Sequence, residues 1–341
     1  MKLKILNNNE IEIAANAIKN GDLVAFPTET VYGLGADALN PDAVKKIFEV
    51  KGRPSDNPLI IHVNNLEMLN KIAHITENAK ILLNKFAPGP LTIILKKKDI
   101  VPAITCANLD TVAVRIPNNK IALELIEKAN TPLAAPSANL SGAPSPTKIQ
   151  HIIDDLGDKI KYAIEGEITI GVESTVLDLT EKKPKILRYG EITFEDLKKV
   201  MDIEPIEITK NGKKTIKTVK SPGMKYTHYS PDAPLILATG TIEEITNKIN
   251  DLIKEHNEKG EKNENMGIII TEETKDKYPA NIKKIILGSR DNLKTISKNL
   301  FDSLREMDKR GASIIFIEGF DKKGLGLAIM DRLEKASDKI I

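Results

Sequence analysis

The sequence predicts an α/β protein built in two parts, and three observations lead there. Strand-length apolar runs alternate with segments of helical apolar spacing along most of the chain, the pattern of strands and helices packed in layers. The 341 residues, 41% hydrophobic and 29% charged, are ample for a globular protein but too many for one ordinary core. From Glu204 to Pro234 the alternation gives way to a Lys-, Thr-, Pro- and Gly-rich stretch, longer than a usual connection. We therefore expect one domain over residues 1–203, a linker over 204–234 and a second domain over 235–341.

Taken in order, Ile13, Ala14, Ala17 and Ile18 recur at helical spacing before Gly21, which suits a helix end. Val24 to Phe26 is a strand closed by Pro27, and the hydroxyl and carboxylate run Thr28, Glu29 and Thr30 follows at once. The next helix has Asn40 as N-cap, Pro41 at its first position and Val44, Ile47 and Phe48 on one face. It stops just before Lys51-Gly-Arg53-Pro54, a loop that Gly52 and Pro54 keep from being helical. Leu59 to Val63 is a strand holding His62 among aliphatic residues, so Thr30, Lys51, Arg53 and His62 are expected to converge at one strand edge.

Two short helices, Leu66 to Ala73 and Thr76 to Phe86, lead to a strand in PGPLTIILKKK; strand TVAVRIP, helix IALELIEKA and strand PLAAPSAN come next. A loop dense in hydroxyls, glycine and proline runs from Ser137 to Thr147, with Thr147 expected to cap a helix reaching Leu156. Strands in GVESTVLDLT and KILRYG, the latter carrying Arg188, and a helix capped by Thr193 complete the first domain. In the second, strand LILAT, a helix from Thr241, strands GIIIT and KIILG, a helix from Asn292, strand SIIFIEGF and a helix after Gly326 predict a small parallel sheet with helices on both faces.

Composition and motifs narrow the function. A net charge of +2 argues against a molecule-wide nucleic-acid surface. Neither a membrane-length apolar run nor a signal-like start occurs, so a cytoplasmic protein is expected. The single cysteine, Cys106, rules out an internal disulfide and reads as a small buried thiol; five scattered histidines make no zinc motif. Gly33-Leu-Gly35-Ala-Asp-Ala38 nominally fits a dinucleotide fingerprint, but Pro27 and TETVY separate it from its strand. Neither a P-loop nor a nucleophile elbow is present. The stronger signal is cations at the ends of α/β elements: Lys51, Arg53, Arg115 and Arg188, beside the hydroxyl-rich loop. Fixed guanidinium forks hold phosphates and carboxylates best, so these residues point to an anion pocket.

Phe26-Pro-Thr-Glu-Thr30-Val-Tyr-Gly-Leu-Gly35, Lys51-Gly-Arg53-Pro54 with Asn57-Pro58-Leu59, Ile61-His62-Val63, Ala135-Pro-Ser137-Ala-Asn139 and Gly171-Val-Glu-Ser174-Thr175 together resemble the YrdC-like threonylcarbamoyl-adenylate synthases. The segment Pro222-Gly-Met-Lys-Tyr226-Thr-His228-Tyr229 and Gly324-Leu-Gly-Leu-Ala-Ile-Met330 are similar to that family's long two-domain form. The resemblance implies a YrdC-like twisted mixed α/β sheet domain followed by a smaller Rossmann-like domain. It implies synthesis of L-threonylcarbamoyl-AMP from L-threonine, bicarbonate or carbon dioxide and ATP, with Mg²⁺ accompanying the ATP and pyrophosphate leaving. The product feeds threonylcarbamoyladenosine modification of tRNA through a downstream transferase complex.

Carried across by motif, the implied ATP contacts are Lys51, Arg53, Asn57, Thr111, Ser137, Ser145, Arg188 and Tyr226, with Lys51 and Arg53 in the catalytic role. The implied threonine contacts are Thr30, His62, Arg115, Ala135 through its backbone, and Ser174; no protein side chain is implied as a metal ligand. One departure is Arg188-Tyr189-Gly190 where the family commonly has Arg-Pro-Gly. Holding threonine by its carboxylate on Arg115 and leaving its amine without an anion partner would favour the unprotonated, reactive amine. The residues Tyr226, His228 and Tyr229 suit a lid over both substrates better than a featureless tether.

Two other readings carry different expectations. An RNA-binding module of the YrdC-like class would bind RNA directly, which the near-neutral charge and lack of an aromatic platform disfavour. Carbamoyl transfer in hydrogenase maturation calls for zinc-finger and acylphosphatase-like segments that this sequence lacks.

Overall fold

The computed structural model describes residues 2–206 and 229–341. These fall into two compact units, one of residues 2–141 with 145–206, the other of 142–144 with 229–341.

The first unit has strands β1 (Lys4–Leu6), β2 (Val24–Pro27), β3 (Tyr32–Asp37), β4 (Ile60–His62), β5 (Leu91–Lys96), β6 (Thr111–Arg115), β7 (Leu133–Ala134), β8 (Tyr162–Ile164), β9 (Thr175–Asp178) and β10 (Lys185–Arg188). Its helices are α1 (Ile11–Lys19), α2 (Pro41–Lys51), α3 (Leu66–Ile72), α4 (Glu77–Phe86), α5 (Lys120–Ala129), α6 (Ile149–Leu156) and α7 (Phe194–Lys198). The strands form one mixed sheet in the order β1-β8-β2-β3-β7-β4-β6-β5-β9-β10. The mixed α/β expectation holds. On one face α1 and α5 pack Ile11, Ile18, Leu125 and Ile126 against Phe26 and Leu133. The larger core on the other face gathers Tyr32, Ile47, Ile61, Leu82, Ile93 and Ile152. Each such fully buried aliphatic side chain contributes roughly 1.5–3 kcal/mol.

Helix α2 shows how local chemistry delivers a functional residue. The Asn40 side chain accepts from the amides of Asp42 and Ala43 at 3.0 and 3.2 Å, and Pro41 occupies the first turn, where its missing N–H costs nothing. Gly52 closes the helix at φ 60°, a conformation that favours glycine. Lys51 is therefore the last helical residue, one position later than expected, and its side chain turns inward to 3% exposure.

In this unit three strands escaped the sequence reading: β1, β3 and β8. For β3 the reason is Gly35, where a Cβ would lie 2.8 Å from the Phe26 ring; β2 and β3 pair antiparallel, and the aromatic ring occupies the space of a side chain. The glycines of the nominal fingerprint thus serve close strand packing. Thr147 does not cap α6 with its hydroxyl; its amide donates to His151 Nδ1 at 3.1 Å instead. Cys106 is buried, and burial pushes its thiol up to about 11. Packed structure continues past residue 203, since the Ile186 amide donates to the Glu204 carbonyl at 2.9 Å.

The second unit contains β11 (Leu235–Ala238), α8 (Ile242–Glu258), β12 (Met266–Ile270), β13 (Lys283–Ile286), α9 (Leu293–Lys309), β14 (Ile314–Glu318), α10 (Leu325–Ala336) and β15 (Lys339–Ile340). All its strand pairs are parallel, in the order β13-β12-β14-β11-β15, as a Rossmann-like domain requires. Helices α8 and α9 start where the sequence placed them, with Thr241 and Asn292 as their caps. Tyr229, at the end of the stretch expected to be a linker, is buried and stacks on Phe301 with ring centroids 5.1 Å apart. Among the described residues no helix is long and apolar enough to cross a membrane.

Candidate active site

The sheet register aligns the arginines. His62 on β4 lies opposite Arg115 on β6; on β5, which runs beside β6, Thr92 lies opposite Val176 on β9, and Val176 lies opposite Arg188 on β10. One row across five strands thus carries an imidazole and two guanidinium groups. Ser174 enters the row from just before β9. Its hydroxyl is 2.7 Å from the Thr92 hydroxyl and accepts from Arg188 Nη2 at 3.1 Å, while Arg188 Nε donates to the Ser174 carbonyl at 3.0 Å. Arg188, followed here by Tyr189, is thus held by two bonds to Ser174.

Arg115 is fixed by its neighbours. Nε donates to the Gly89 carbonyl at 3.2 Å and Nη1 to the Thr30 hydroxyl at 2.9 Å. The turn between β2 and β3 that supplies Thr30 is itself rigid: the Thr28 hydroxyl donates to the Val31 carbonyl at 2.7 Å and lies 2.8 Å from the Thr30 hydroxyl. Thr30, His62, Arg115 and Ser174, four of the five threonine contacts implied by the sequence, therefore gather around this row. The fifth, Ala135, spends its amide on the Ile60 carbonyl at 3.0 Å, which limits a backbone contact there to its own carbonyl.

Glu29 was missed. Its carboxylate lies 2.7 Å from Arg115 Nη2, with both side chains almost wholly buried. An anion thus stands in the pocket beside the guanidinium assigned to the substrate carboxylate, where the sequence led us to expect no anion partner for the substrate amine. The run Thr28, Glu29 and Thr30 displays the carboxylate, but nothing local announces its partner, because Glu29 and Arg115 are far apart in the chain.

Burial, and then the positive charge of Arg115, lower the His62 pKa to about 3. Its ring is therefore neutral at physiological pH, edge-on to Phe26 with centroids 6.2 Å apart. A neutral imidazole beside the Arg115 guanidinium offers a hydrogen bond without adding a second positive charge.

The expected ATP contacts fall in three places. Lys51 Nζ donates to the carbonyls of Ser137, at 2.6 Å, and Asn139, and the Ser141 amide returns a bond to the Lys51 carbonyl at 2.9 Å. The lysine thus braces the hydroxyl-rich loop. Ser145, at the other end of that loop, donates to the buried carboxylate of Glu173, next to Ser174. Arg53 Nη2 reaches the carbonyls of Asn57 and Pro58 at 3.4 and 3.3 Å. Thr111 opens β6 where this turn enters β4, and Arg115 closes the strand about 13 Å further on. Arg53, Asn57 and Thr111 therefore lie at one end of β4 and β6, whereas Ser145 and Arg188 lie with Ser174. Tyr226 and His228 lie outside the described residues. Among the described residues, no group of three or more His, Cys, Asp or Glu side chains is placed to hold a metal ion.

A family model described as Telomere recombination, covering Sua5, YciO and YrdC proteins, matches residues 16–190. A second, described as Threonylcarbamoyl-AMP synthase, C-terminal domain, matches residues 192–338. The threonylcarbamoyl-AMP synthase of Pyrococcus abyssi is 49% identical over 96% of this chain and 94% of its own length. That of Bacillus subtilis is 46% identical over 97% of this chain and 94% of its own. The crystal structure of P. abyssi Sua5 complexed with L-threonine has a TM-score of 0.91 at 47% identity, covering 99% of each chain.

Proposed function

The chain belongs to the threonylcarbamoyl-AMP synthase family, and from that premise we propose how its pocket divides the substrates. It is an enzyme, a nucleotidyltransferase that makes L-threonylcarbamoyl-AMP from L-threonine, bicarbonate or carbon dioxide and ATP, releasing pyrophosphate, for threonylcarbamoyladenosine modification of tRNA. The relatives named above are synthases, and the RNA-binding alternative is set aside. The observation that carries the division is the cross-strand row in which His62, Arg115 and Arg188 flank the hydroxyls of Thr92 and Ser174.

In this reading threonine lies at the Arg115 end. The guanidinium takes the α-carboxylate, and Thr30, Ser174, the neutral ring of His62 and the Ala135 carbonyl surround the rest. ATP reaches from Arg188 and Ser145 toward Arg53, Asn57 and Thr111, a span that suits an extended nucleotide better than a single anion. Lys51 holds Ser137 against it. Mg²⁺ arrives on the triphosphate as part of the substrate, and the enzyme works in the cytoplasm, its product passing to a tRNA-modifying transferase.

The chemistry asks for positioning and charge, with no protein nucleophile. The bound threonine ammonium first loses a proton to water; the free amine then forms its N–C bond to carbon dioxide and sheds a second proton to water, which leaves a carbamate. A carbamate oxygen then forms a bond to the α-phosphorus as the bond to pyrophosphate breaks. Negative charge grows on the departing phosphates, and Lys51 and Arg53 are the cations that answer it; removing one such donor costs about 3 kcal/mol of barrier. Burial of the row keeps water from a hydrolysable carbamate and adenylate.

Calorimetry with each ligand alone tests the division. Arg53→Ala should weaken ATP binding and spare threonine, while Arg115→Ala should do the reverse, each by roughly 2–4 kcal/mol. If both variants lose the same ligand and keep the other, the division is wrong.

A further inference from the structure

We propose that Glu29 reads the α-ammonium of the bound amino acid, so that Glu29 and Arg115 together recognise a zwitterion. The inference rests on the assignment of threonine to this pocket. Glu29 and Arg115 approach to 2.7 Å, yet neither carboxylate oxygen nor Arg115 Nη2 has an aligned hydrogen bond among the described residues. The contact is one of charge, without the fork-to-fork alignment that usually accompanies a buried Arg–carboxylate pair. His62 Nδ1 is likewise buried without a partner. Buried polar atoms are almost always paired, so four such atoms meeting around one arginine mark a place where a polar ligand completes the bonding.

The backbone explains why the acid points there with capacity to spare. The Glu29 carbonyl accepts from the amides of Thr169 and Ile170 at 3.1 and 2.9 Å, so the turn is anchored through its main chain while the side chain stays uncommitted. Arg115 is held in the same manner through Nε and Nη1, leaving Nη2 on the side of the acid. An α-amino acid carries three N–H donors and a carboxylate on one carbon. Its ammonium satisfies Glu29 and its carboxylate satisfies Arg115 Nη2, so a buried pair held by charge alone gains a hydrogen bond on each side. A hydroxy acid with no amine leaves Glu29 unsatisfied.

The test is calorimetry of L-threonine against 3-hydroxybutyrate, its analogue without the amine, on the full-length wild type and on Glu29→Gln. Wild type should prefer threonine by at least about 100-fold, because a site built around a substrate N–H rejects the ligand that lacks it. Glu29→Gln should shrink that preference to a few-fold, chiefly by weakening threonine. A preference that stays unchanged while both ligands weaken alike would show that Glu29 only orients Arg115 and would overturn the proposal. Equal wild-type affinity for the two ligands would overturn it without any variant, and Glu29→Asp, which keeps the charge, should retain most of the preference if the amide variant does not fold. Failure of wild type to bind threonine at all would instead refute the assignment of the pocket.

Discussion

His62 makes stability depend on pH in a direction fixed by its surroundings. Its ring titrates near 6.5 in the unfolded chain and near 3 when folded, lowered first by burial and then by Arg115. Below pH 6.5 the unfolded chain binds a proton that the folded chain refuses. Stability should therefore be level above pH 6.5 and fall progressively as the pH drops toward 3. At pH 5 the unfolded ring is about thirty-fold more protonated than not, which favours unfolding by about 2 kcal/mol relative to pH 8. Urea unfolding of wild type and of His62→Asn at pH 8 and pH 5, followed by circular dichroism, isolates this contribution from that of the carboxylates. The wild type should lose about 2 kcal/mol more than the variant over that interval. Equal losses would mean that His62 accepts a proton in the folded protein, and the picture of a neutral ring between Phe26 and Arg115 would be refuted.

The same buried site sets further expectations. Arg115→Met leaves the Glu29 carboxylate buried and unpaired, so it should cost roughly 3–5 kcal/mol of stability, with Glu29→Gln added to Arg115→Met restoring most of it; a loss under about 1 kcal/mol in the single variant would contradict the pairing. Gly35→Ala places a Cβ 2.8 Å from the Phe26 ring and should cost about 1–3 kcal/mol through overpacking, read as a lower urea midpoint. Unchanged stability there would mean that Phe26 yields without strain.

Helices and fold class were legible because their signals are local. Asn40, Pro41 and Gly52 mark both ends of α2, and Thr241 and Asn292 mark the starts of α8 and α9, each by bonds to amides two or three residues away. Strand β3 was not legible, since Gly35 answers to the Phe26 ring and breaks the apolar alternation that would reveal a strand. Three-residue strands such as β1 and β8 are too short to show a period; β8 forms between β1 and β2, and β1 against β8. The arginines of the site were visible as residues at element ends, but their common row depends on strand order, which brings β4, β6, β5, β9 and β10 together out of sequence. Glu29 was invisible as a site residue for the same reason. Its meaning comes from a guanidinium delivered by another strand. Lys51 read only as a cation of the anion pocket, because backbone carbonyls, its acceptors here, leave no mark in a sequence.

The most direct test of the whole account is turnover itself. Full-length protein incubated with ATP, Mg²⁺ and bicarbonate should release pyrophosphate only when L-threonine is also present, with L-threonylcarbamoyl-AMP detected by mass in the same tube and both signals lost on omitting bicarbonate. Pyrophosphate release at the same rate without threonine, or with threonine but without the adenylate, would contradict a pocket that joins an amino acid to a nucleotide.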